Sequence, residues 1–237
     1  MKNFTIASQQ ETTIDYPGKM ALIVFTPGCN FRCGFCHNPE LVVENTGNID
    51  IEILLKNIEN RKNAGWYQGI CISGGEPTMH DGLVDFCKKL KEMKLLIKID
   101  TNGSNPSILK ELFEKNLVDY VAMDIKSTKE KYSQIAKVDI DIRDIEKSIK
   151  ITKSFPVYEF RTTVLPFMKE EDFEEIGKWI SNNGEEKVRI FTLQQFNPKN
   201  TLDESFMKMI PKSKEEIDKF AEIMKKYSVV VRVLGLE

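Results

Sequence analysis

Short apolar runs alternate with amphipathic stretches along most of the chain, beginning near residue 21. Each apolar run is rich in β-branched residues and stops at glycine, proline or a polar residue, which is typical of a buried strand. The pattern predicts strands over residues 21–26, 69–73, 95–100, 120–125, 158–164 and 188–194, with a terminal strand over 228–233.

The stretches between these strands have the spacing of helices, and several begin with a capping residue. Asp50 precedes a predicted helix over 51–61, and Ser213 with Glu216 forms a capping box for a helix that reaches about residue 227. Further helices are predicted over 81–93, 105–115, 142–149 and 170–181. Residues 197–212 contain two prolines and little periodicity, and they predict a mobile loop.

Six strand–helix units in strict alternation predict an α/β fold with a parallel sheet and right-handed crossovers. The strands are almost continuously apolar, as expected for a sheet buried on both faces. An open doubly wound sheet and a barrel both satisfy this pattern, and both place a functional site at the C-terminal ends of the strands. With no repeat or linker, we predict one domain over 1–237, with an N-terminal extension over 1–20 and a C-terminal loop, helix and strand over 197–237.

Composition and charge limit the classes of partner that the protein is expected to bind. Hydrophobic residues make up 41% and charged residues 30%, which is ordinary for a soluble globular protein. The net charge of −2 argues against nucleic acid as a partner, because phosphate binding favours a basic surplus. No apolar run approaches the roughly 18 residues of a membrane span, and the first residues lack a signal-peptide core. We therefore expect a cytoplasmic protein without a membrane partner. In the cytoplasm, thiols stay reduced.

The cysteines are the first candidates for chemistry. Three of the five lie in a CxxxCxxC loop directly after the first strand: Cys29, Cys33 and Cys36. Thiolates are the usual ligands of iron–sulfur clusters, and three ligands for four irons leave one iron open. Spacing alone leaves a zinc site open, with His37 or Cys71 as the fourth ligand. Cys71 within a strand and Cys87 on an apolar helix face are predicted to be core residues.

Polar residues also lie on or directly after the other predicted strands, toward the C-terminal edge of the sheet. They are Gly74-Gly75-Glu76-Pro77, Asp100-Thr101-Asn102-Gly103, Asp124 with Lys126, Arg161, and Gln194-Gln195. Since the carboxyl ends of parallel strands meet at one edge, we expect these groups to converge with the cysteine loop. His80, after the second strand, is predicted to be a surface or capping group.

CxxxCxxC after a first strand, GGEP after a second and DTNG after a third resemble the radical S-adenosylmethionine (SAM) superfamily. More narrowly, the chain is similar to the glycyl-radical-enzyme activating proteins from about residue 13 to its end. The segments TIDYPG (13–18), GCNFRC (28–33), CHNP (36–39), VAMDIK (121–126) and LQQF (193–196) resemble those that activate anaerobic ribonucleoside-triphosphate reductase. The resemblance implies a partial (β/α)6 TIM-like barrel of the radical SAM type.

This resemblance implies roles for individual residues. Cys29, Cys33 and Cys36 would bind a 4Fe–4S cluster whose open iron takes the amino and carboxylate groups of SAM. The remaining cofactor-binding set would be Gly74, Gly75 and Glu76 at the SAM amino group, Lys126 and Arg161 at its carboxylate, Phe35 and His37 beside the adenine, and Asp100, Asn102 and Gln194. Asp100, Thr101 and Asp124, with the Ala122 carbonyl, match a monovalent-cation site of the pyruvate formate-lyase activating relatives. No catalytic residue is implied beyond the cluster and SAM.

The implied activity is an oxidoreductase reaction of anaerobic metabolism. One electron from a flavodoxin or ferredoxin would cleave SAM to a 5′-deoxyadenosyl radical, which would remove a hydrogen from a glycine of a partner, most specifically anaerobic ribonucleoside-triphosphate reductase. QQFN at 194–197 lacks the histidine of the pyruvate formate-lyase activators, which favours this subgroup. Pyruvate formate-lyase or another glycyl radical enzyme, a small-molecule reaction like that of carboxy-deazaguanine synthase, and a non-enzymatic zinc module remain alternatives.

Two absences also bear on the substrate. No cysteine follows Cys87, so the C-terminal auxiliary-cluster domains of many peptide-modifying radical SAM enzymes are not expected. A chain of this length suggests a barrel that closes incompletely, with a lateral groove for an extended peptide. We expect Phe196 and Asn197 at the rim of that groove.

Overall fold

A computed structural model describes residues 4–42 and 49–236 and contains one curved eight-stranded sheet. Its strands are β1 (Ser8–Thr12), β2 (Ala21–Thr26), β3 (Gly69–Gly74), β4 (Leu96–Thr101), β5 (Tyr120–Asp124), β6 (Val157–Val164), β7 (Val188–Gln195) and β8 (Ser228–Leu234). β1 pairs antiparallel with β2, and every later neighbour is parallel. The predicted strands are confirmed to within one residue at each end.

Helices connect the parallel strands. They are α1 (Pro39–Val42), α2 (Ile51–Asn63), α3 (Leu83–Glu92), α4 (Pro106–Glu114), α5 (Tyr132–Ala136), α6 (Ile142–Thr152), α7 (Glu170–Ile180) and α8 (Lys214–Met224), with 3₁₀ turns at Pro77–Met79 and Glu204–Lys208. Both predicted caps are present: the Asp50 carboxylate accepts from two backbone N–H groups of α2, and Ser213 with Glu216 closes a capping box on α8.

The order of the strands decides between the two architectures. Sheet neighbours follow chain order from β1 to β8 without a reversal, whereas a doubly wound sheet reverses at a switch point. The fold is therefore α/β, with the winding of a barrel that closes only in part. β1 was not predicted, because its sequence SQQET has no apolar alternation and its residues are mostly exposed.

The two faces of the sheet differ in character. Side chains on the outer face, such as Ile97 and Ile99 of β4, pack against the helices in the main apolar core. Alternate residues point inward because the side-chain period of a strand is two. At the N-terminal end these inward residues form a small apolar cluster of Tyr16, Ala21 and Tyr120 with Leu96, and above it the interior is polar. The sheet is buried on both faces as predicted, but its inner face is less uniformly apolar than its outer face.

Candidate functional site

A cavity of about 310 Å³ lies at the C-terminal ends of the strands. Apart from Ala122, it is lined by the cofactor and metal residues assigned above from the sequence: Cys29, Cys33, Phe35, Cys36, His37, Gly74, Gly75, Glu76, Asp100, Thr101, Asn102, Asp124, Lys126, Arg161 and Gln194. Its volume is at the lower end of the range of small-molecule sites. The convergence predicted from the strand ends is therefore present.

The cysteine loop follows β2 and is held by backbone hydrogen bonds at both ends. The Gly28 N–H donates to the Leu41 carbonyl at 2.8 Å, and the Arg32 N–H donates to the Ala136 carbonyl at the end of α5, also at 2.8 Å. Burial, aided by the Glu76 carboxylate, raises the pKa of Cys29 to about 12. Burial also raises the pKa of Cys33 to about 11. Metal binding at these thiols would therefore release protons.

The segment around Glu204–Lys208 packs onto this loop. The Leu202 N–H donates to the Cys36 carbonyl at 3.1 Å, and the Asp203 N–H donates to the Gly34 carbonyl at 2.9 Å. A Cβ at Gly34 would lie 2.7 Å from the Phe206 ring, so the ring would have to move to admit any other residue. The sequence predicted a mobile loop over 197–212. The structure instead shows a 3₁₀ turn in this segment and hydrogen bonds from it to the cysteine loop. The prediction missed these contacts because short-range periodicity does not reveal them.

The glycine pair brings the ends of β2 and β3 into close approach. The Gly75 N–H donates to the Thr26 carbonyl, and the Glu76 N–H donates to the Gly28 carbonyl, both at 2.8 Å. A Cβ at Gly75 would lie 1.9 Å from the Gly28 oxygen, and one at Gly74 would lie 2.3 Å from the Thr26 backbone. The resemblance placed these glycines beside the SAM amino group. The structure gives a second reason for glycine at both positions, because any side chain there would collide with the backbone at Thr26 or Gly28.

Glu76 ties the loops after β3 and β4 together. Its carboxylate is 1% exposed and accepts hydrogen bonds from the Thr78 N–H at 3.1 Å, the Thr78 hydroxyl at 2.5 Å, the Thr101 hydroxyl at 2.7 Å and the Asn102 N–H at 2.6 Å. Burial raises its pKa in spite of these donors. Four protein donors make this carboxylate a structural brace as well as part of the cavity wall.

Five charged side chains form what we call the interior charge network: Lys98, Asp100, Asp124, Lys126 and Arg161. Arg161 bridges the two carboxylates, with Nε 2.8 Å from Asp124 and Nη1 3.2 Å from Asp100. Lys126 Nζ lies 2.9 Å from the other Asp124 oxygen, and Lys98 pairs with Asp100. Burial alone would raise the pKa of Asp124, but Arg161 and Lys126 hold it at about 2. Both carboxylates are therefore ionised.

This pairing differs from the expected monovalent-cation site. Asp100 and Asp124 face cationic side chains, and the Thr101 hydroxyl donates to Glu76. Within residues 4–42 and 49–236, no three His, Cys, Asp or Glu side chains are arranged to hold one metal ion. A 4Fe–4S cluster does not need its thiolates to converge on one point, because each binds a different iron. The residues assigned to the cation site do not fit that ion in this arrangement.

The aromatic residues lie at one side of the cavity. Lys126 Nζ is 5.8 Å from the centre of the Phe35 ring, and the His37 ring is 6.3 Å from the Phe196 ring. Phe196 is only 1% exposed, so its expected place at an exposed rim is wrong, while Asn197 is exposed. Phe196 is instead an inner layer between His37 and Phe206.

Sequence reasoning missed several residues of the cavity wall. Ser73 and Thr163 line it from inward positions on β3 and β6, and their place could have been found by counting alternate residues back from each strand end. The same count would have found Lys98, which lies two residues before Asp100 on the inward face of β4 but does not line the cavity. Asp15 also lines the cavity, and it lies in the TIDYPG segment (13–18), to which no role in the site was assigned.

The remaining cysteines and His80 occupy structural positions. Cys71 and Cys87 are both fully buried, as predicted for core residues. Cys71 faces the barrel interior, with its sulfur 3.9 Å from Lys98 Nζ. The His80 ring nitrogen Nε2 lies 2.8 Å from the Pro27 carbonyl oxygen, which ties the end of the Pro77–Met79 turn to the loop after β2.

Comparisons with known proteins match this picture. The sequence profile of the radical SAM superfamily matches residues 23–180. A protein of Methanocaldococcus jannaschii, named as a glycyl-radical enzyme activating enzyme, is 35% identical over 94% of this chain and 93% of its own. A pyruvate formate-lyase-activating enzyme of Listeria monocytogenes is 30% identical over 70% of each chain.

Among solved structures, Streptococcus suis SuiB bound to its precursor peptide SuiA superposes with a TM-score of 0.68 at 15% identity, over 91% of this chain and 48% of that one. At this identity the likeness concerns the fold alone. In the described part of the chain, none of the helices combines the length and the apolar character needed to cross a membrane.

Proposed function

The chain belongs to the radical SAM superfamily, and we propose that it is the activating enzyme of a glycyl radical enzyme, with anaerobic ribonucleoside-triphosphate reductase as the partner. It is an oxidoreductase whose cofactors are a 4Fe–4S cluster and SAM. The observation that carries the proposal is the cavity that brings the three loop thiols together with residues on or directly after β3, β4 and β5 and with residues on β6 and β7.

The donor set fits such a cluster. Three thiols of one loop line the cavity, and the other two cysteines are buried elsewhere, so three ligands are available in one place. Cys29, Cys33 and Cys36 would hold the cluster. When the cluster and SAM are bound and a flavodoxin or ferredoxin supplies one electron, the cofactors provide a 5′-deoxyadenosyl radical that can take a hydrogen atom from glycine.

Two cations of the cavity wall fit an amino acid carboxylate. They belong to the interior charge network, in which Lys98, Lys126 and Arg161 face Asp100 and Asp124. Lys126 and Arg161 also line the cavity, so either can meet a carboxylate there. Charge-assisted hydrogen bonds of this kind are roughly twice as strong as neutral ones.

The walls of the cavity protect a reactive species from water and from wrong partners. Phe31 and Phe35 line it and are themselves buried, with 3% and 5% of their surface exposed. Phe206 covers the cysteine loop from outside. Excluding water from such a site prevents side reactions of the intermediate.

The choice of partner rests on the similarity of the chain along its whole length to a glycyl-radical enzyme activating enzyme and on the segments named above, from TIDYPG to LQQF. The similarity to a pyruvate formate-lyase-activating enzyme supports pyruvate formate-lyase as a second candidate.

The test is to incubate the anaerobically reconstituted protein with SAM, a reductant and each candidate enzyme in turn. We expect an EPR doublet of a glycyl radical on the anaerobic ribonucleotide reductase, with one methionine released for each radical formed. A doublet on pyruvate formate-lyase alone would transfer the proposal to the second candidate. Rapid SAM cleavage stimulated by a small metabolite, without any glycyl radical, would refute it, as would a preparation that binds zinc in place of iron.

A further inference from the structure

The part of the interior charge network around Asp100 differs from the arrangement that the resemblance implied. Asp100 and Asp124 were expected to share a monovalent cation with Thr101. In the structure, the Thr101 hydroxyl is directed to Glu76, and both carboxylates are paired with side-chain cations. The cation that Asp100 meets from below is Lys98, a residue of its own strand.

Lys98 is an unusual side chain for a barrel interior. It is 2% exposed and lies two residues before Asp100 on the inward face of β4. Its ammonium group pairs with Asp100, lies 5.5 Å from the centre of the Tyr120 ring and is 3.9 Å from the Cys71 sulfur. Lysine is almost never fully buried unless it is paired, so the pair with Asp100 is what keeps this charge in the interior.

Lys98 also differs in position from the other two cations of the network. Lys126 and Arg161 line the cavity, where a ligand can reach them, whereas Lys98 is not part of the cavity wall. It contacts only the far side of the network, through one oxygen of Asp100, while Arg161 approaches the other oxygen. Lys98 therefore cannot bind a ligand directly and can act only by neutralising and orienting Asp100.

The pairing of the Asp100 oxygens gives this contact a function. Arg161 is shared between Asp100 and Asp124, so without Lys98 one oxygen of Asp100 would have no cationic partner within the network. One monovalent positive charge beside that oxygen restores the pairing. An ammonium group and a potassium ion carry the same charge and are similar in size.

We propose that the Lys98 ammonium takes the place of a bound monovalent cation, so that this protein holds Asp100, and through it Arg161, ready for the SAM carboxylate without added potassium or sodium. The identity of the ligand, SAM, rests on the proposed function. The replacement of a bound cation by the Lys98 ammonium does not rest on it, because that claim concerns the protein alone. Lys98 is a positioning residue that acts through Asp100.

The first experiment uses the metal-free protein. Its Tm is measured at equal ionic strength in potassium, sodium, ammonium and choline chloride. We expect the same Tm for the wild type in all four salts. Lys98→Ala should have a lower Tm and should regain about 3 °C or more in potassium or ammonium chloride relative to choline chloride, because small cations can enter the vacated space beside Asp100.

The matched control is Lys91→Ala, which removes another lysine paired with an aspartate, Asp119, at 2.8 Å. That pair is 29% exposed on both sides and lies outside the barrel, so its loss should not create a preference among these salts. Lys98→Ser, which also leaves space for a cation beside Asp100, replaces Lys98→Ala if that variant does not fold.

The second experiment measures SAM binding to the reconstituted protein through the change in the cluster spectrum. The wild-type Kd should be the same in the four salts. For Lys98→Ala it should rise about tenfold in choline chloride and recover in potassium or ammonium chloride, the size expected for one charge-assisted contact. A general structural defect would weaken binding equally in all salts.

Two results would overturn the inference: a wild-type Tm or SAM affinity that depends on potassium or sodium, or a Lys98→Ala protein whose defects are the same in every salt. Neither result depends on the glycyl radical. A protein that binds SAM independently of cations but activates no partner would leave the inference standing and refute only the proposed function.

Discussion

Arg161 joins the two halves of the interior charge network, because it contacts Asp124 through Nε and Asp100 through Nη1. A lysine has a single charged nitrogen and could not bridge both carboxylates in this way. Each carboxylate thereby has a second cation for its other oxygen, Lys126 or Lys98. The two strands β4 and β5 are tied to β6 at the level of the cavity floor.

At the scale of single residues, two buried cysteines allow a direct test of which thiols bind the 4Fe–4S cluster. Cys33 lies in the loop beside the cavity, while Cys71 lies deeper, on β3. After anaerobic reconstitution, we expect about four irons per chain in the wild type and in Cys71→Ala, and far fewer in Cys33→Ala. Iron analysis and the visible spectrum measure this. Iron retained by Cys33→Ala and lost by Cys71→Ala would contradict the assignment.

The elements could be predicted well from the sequence where apolar periodicity is strong, as for β2, β5 and α6. β1 escaped because it is a polar edge strand held by backbone pairing with β2, which leaves no side-chain pattern. The site residues could be found because parallel strands end at one edge. The hydrogen bonds and ion pairs within the site could not be predicted. Lys98, Glu76 and Arg161 each have several possible partners in the sequence, and only the register of the folded strands decides which of them lie within reach.

The contact between the β2 and β3 loops yields a prediction at the scale of elements. Gly75→Ala should lower the free energy of unfolding by about 3 kcal/mol, because its Cβ would collide with the Gly28 carbonyl. Gly65→Ala is the control: its φ of +82° disfavours alanine, but nothing lies within 4 Å, so it should cost about 1 kcal/mol. Urea unfolding of the metal-free proteins compares them. Equal losses would mean that the loops separate easily.

At the scale of the whole molecule, the cavity end of the barrel exposes large apolar side chains. Near the cavity, Phe167 follows β6, is 47% exposed and has its ring 6.4 Å from that of Phe206. Ile210 is 85% exposed shortly after the Glu204–Lys208 turn. A protein partner that brings a glycine to the cavity would have to pass these apolar groups, so we expect them to contribute to its binding.

Phe167→Ser should therefore lower kcat/KM for the partner enzyme about fivefold while leaving the Kd of SAM unchanged. Trp66→Ser is the control, since Trp66 is 50% exposed but precedes β3, at the opposite end of the strands. The rate of glycyl radical formation at low partner concentration measures the effect. Equal losses in both variants, or a loss of SAM binding in Phe167→Ser, would argue against contact at this end.

The braces around Glu76 and His80 have a consequence for how a ligand is received. Hydrogen bonds link the loop after β2 to the turn after β3 at Pro27 and Gly28, and link that turn to the loop after β4 at Thr101 and Asn102. These three loops form a preorganised half of the cavity mouth, where binding requires little ordering of the protein and therefore little loss of conformational entropy. The segment after β7 is joined to the same half, because the Leu202 and Asp203 N–H groups donate to the carbonyls of Cys36 and Gly34. A cofactor therefore meets a surface whose shape is set before binding, and its affinity is not reduced by the cost of ordering these loops.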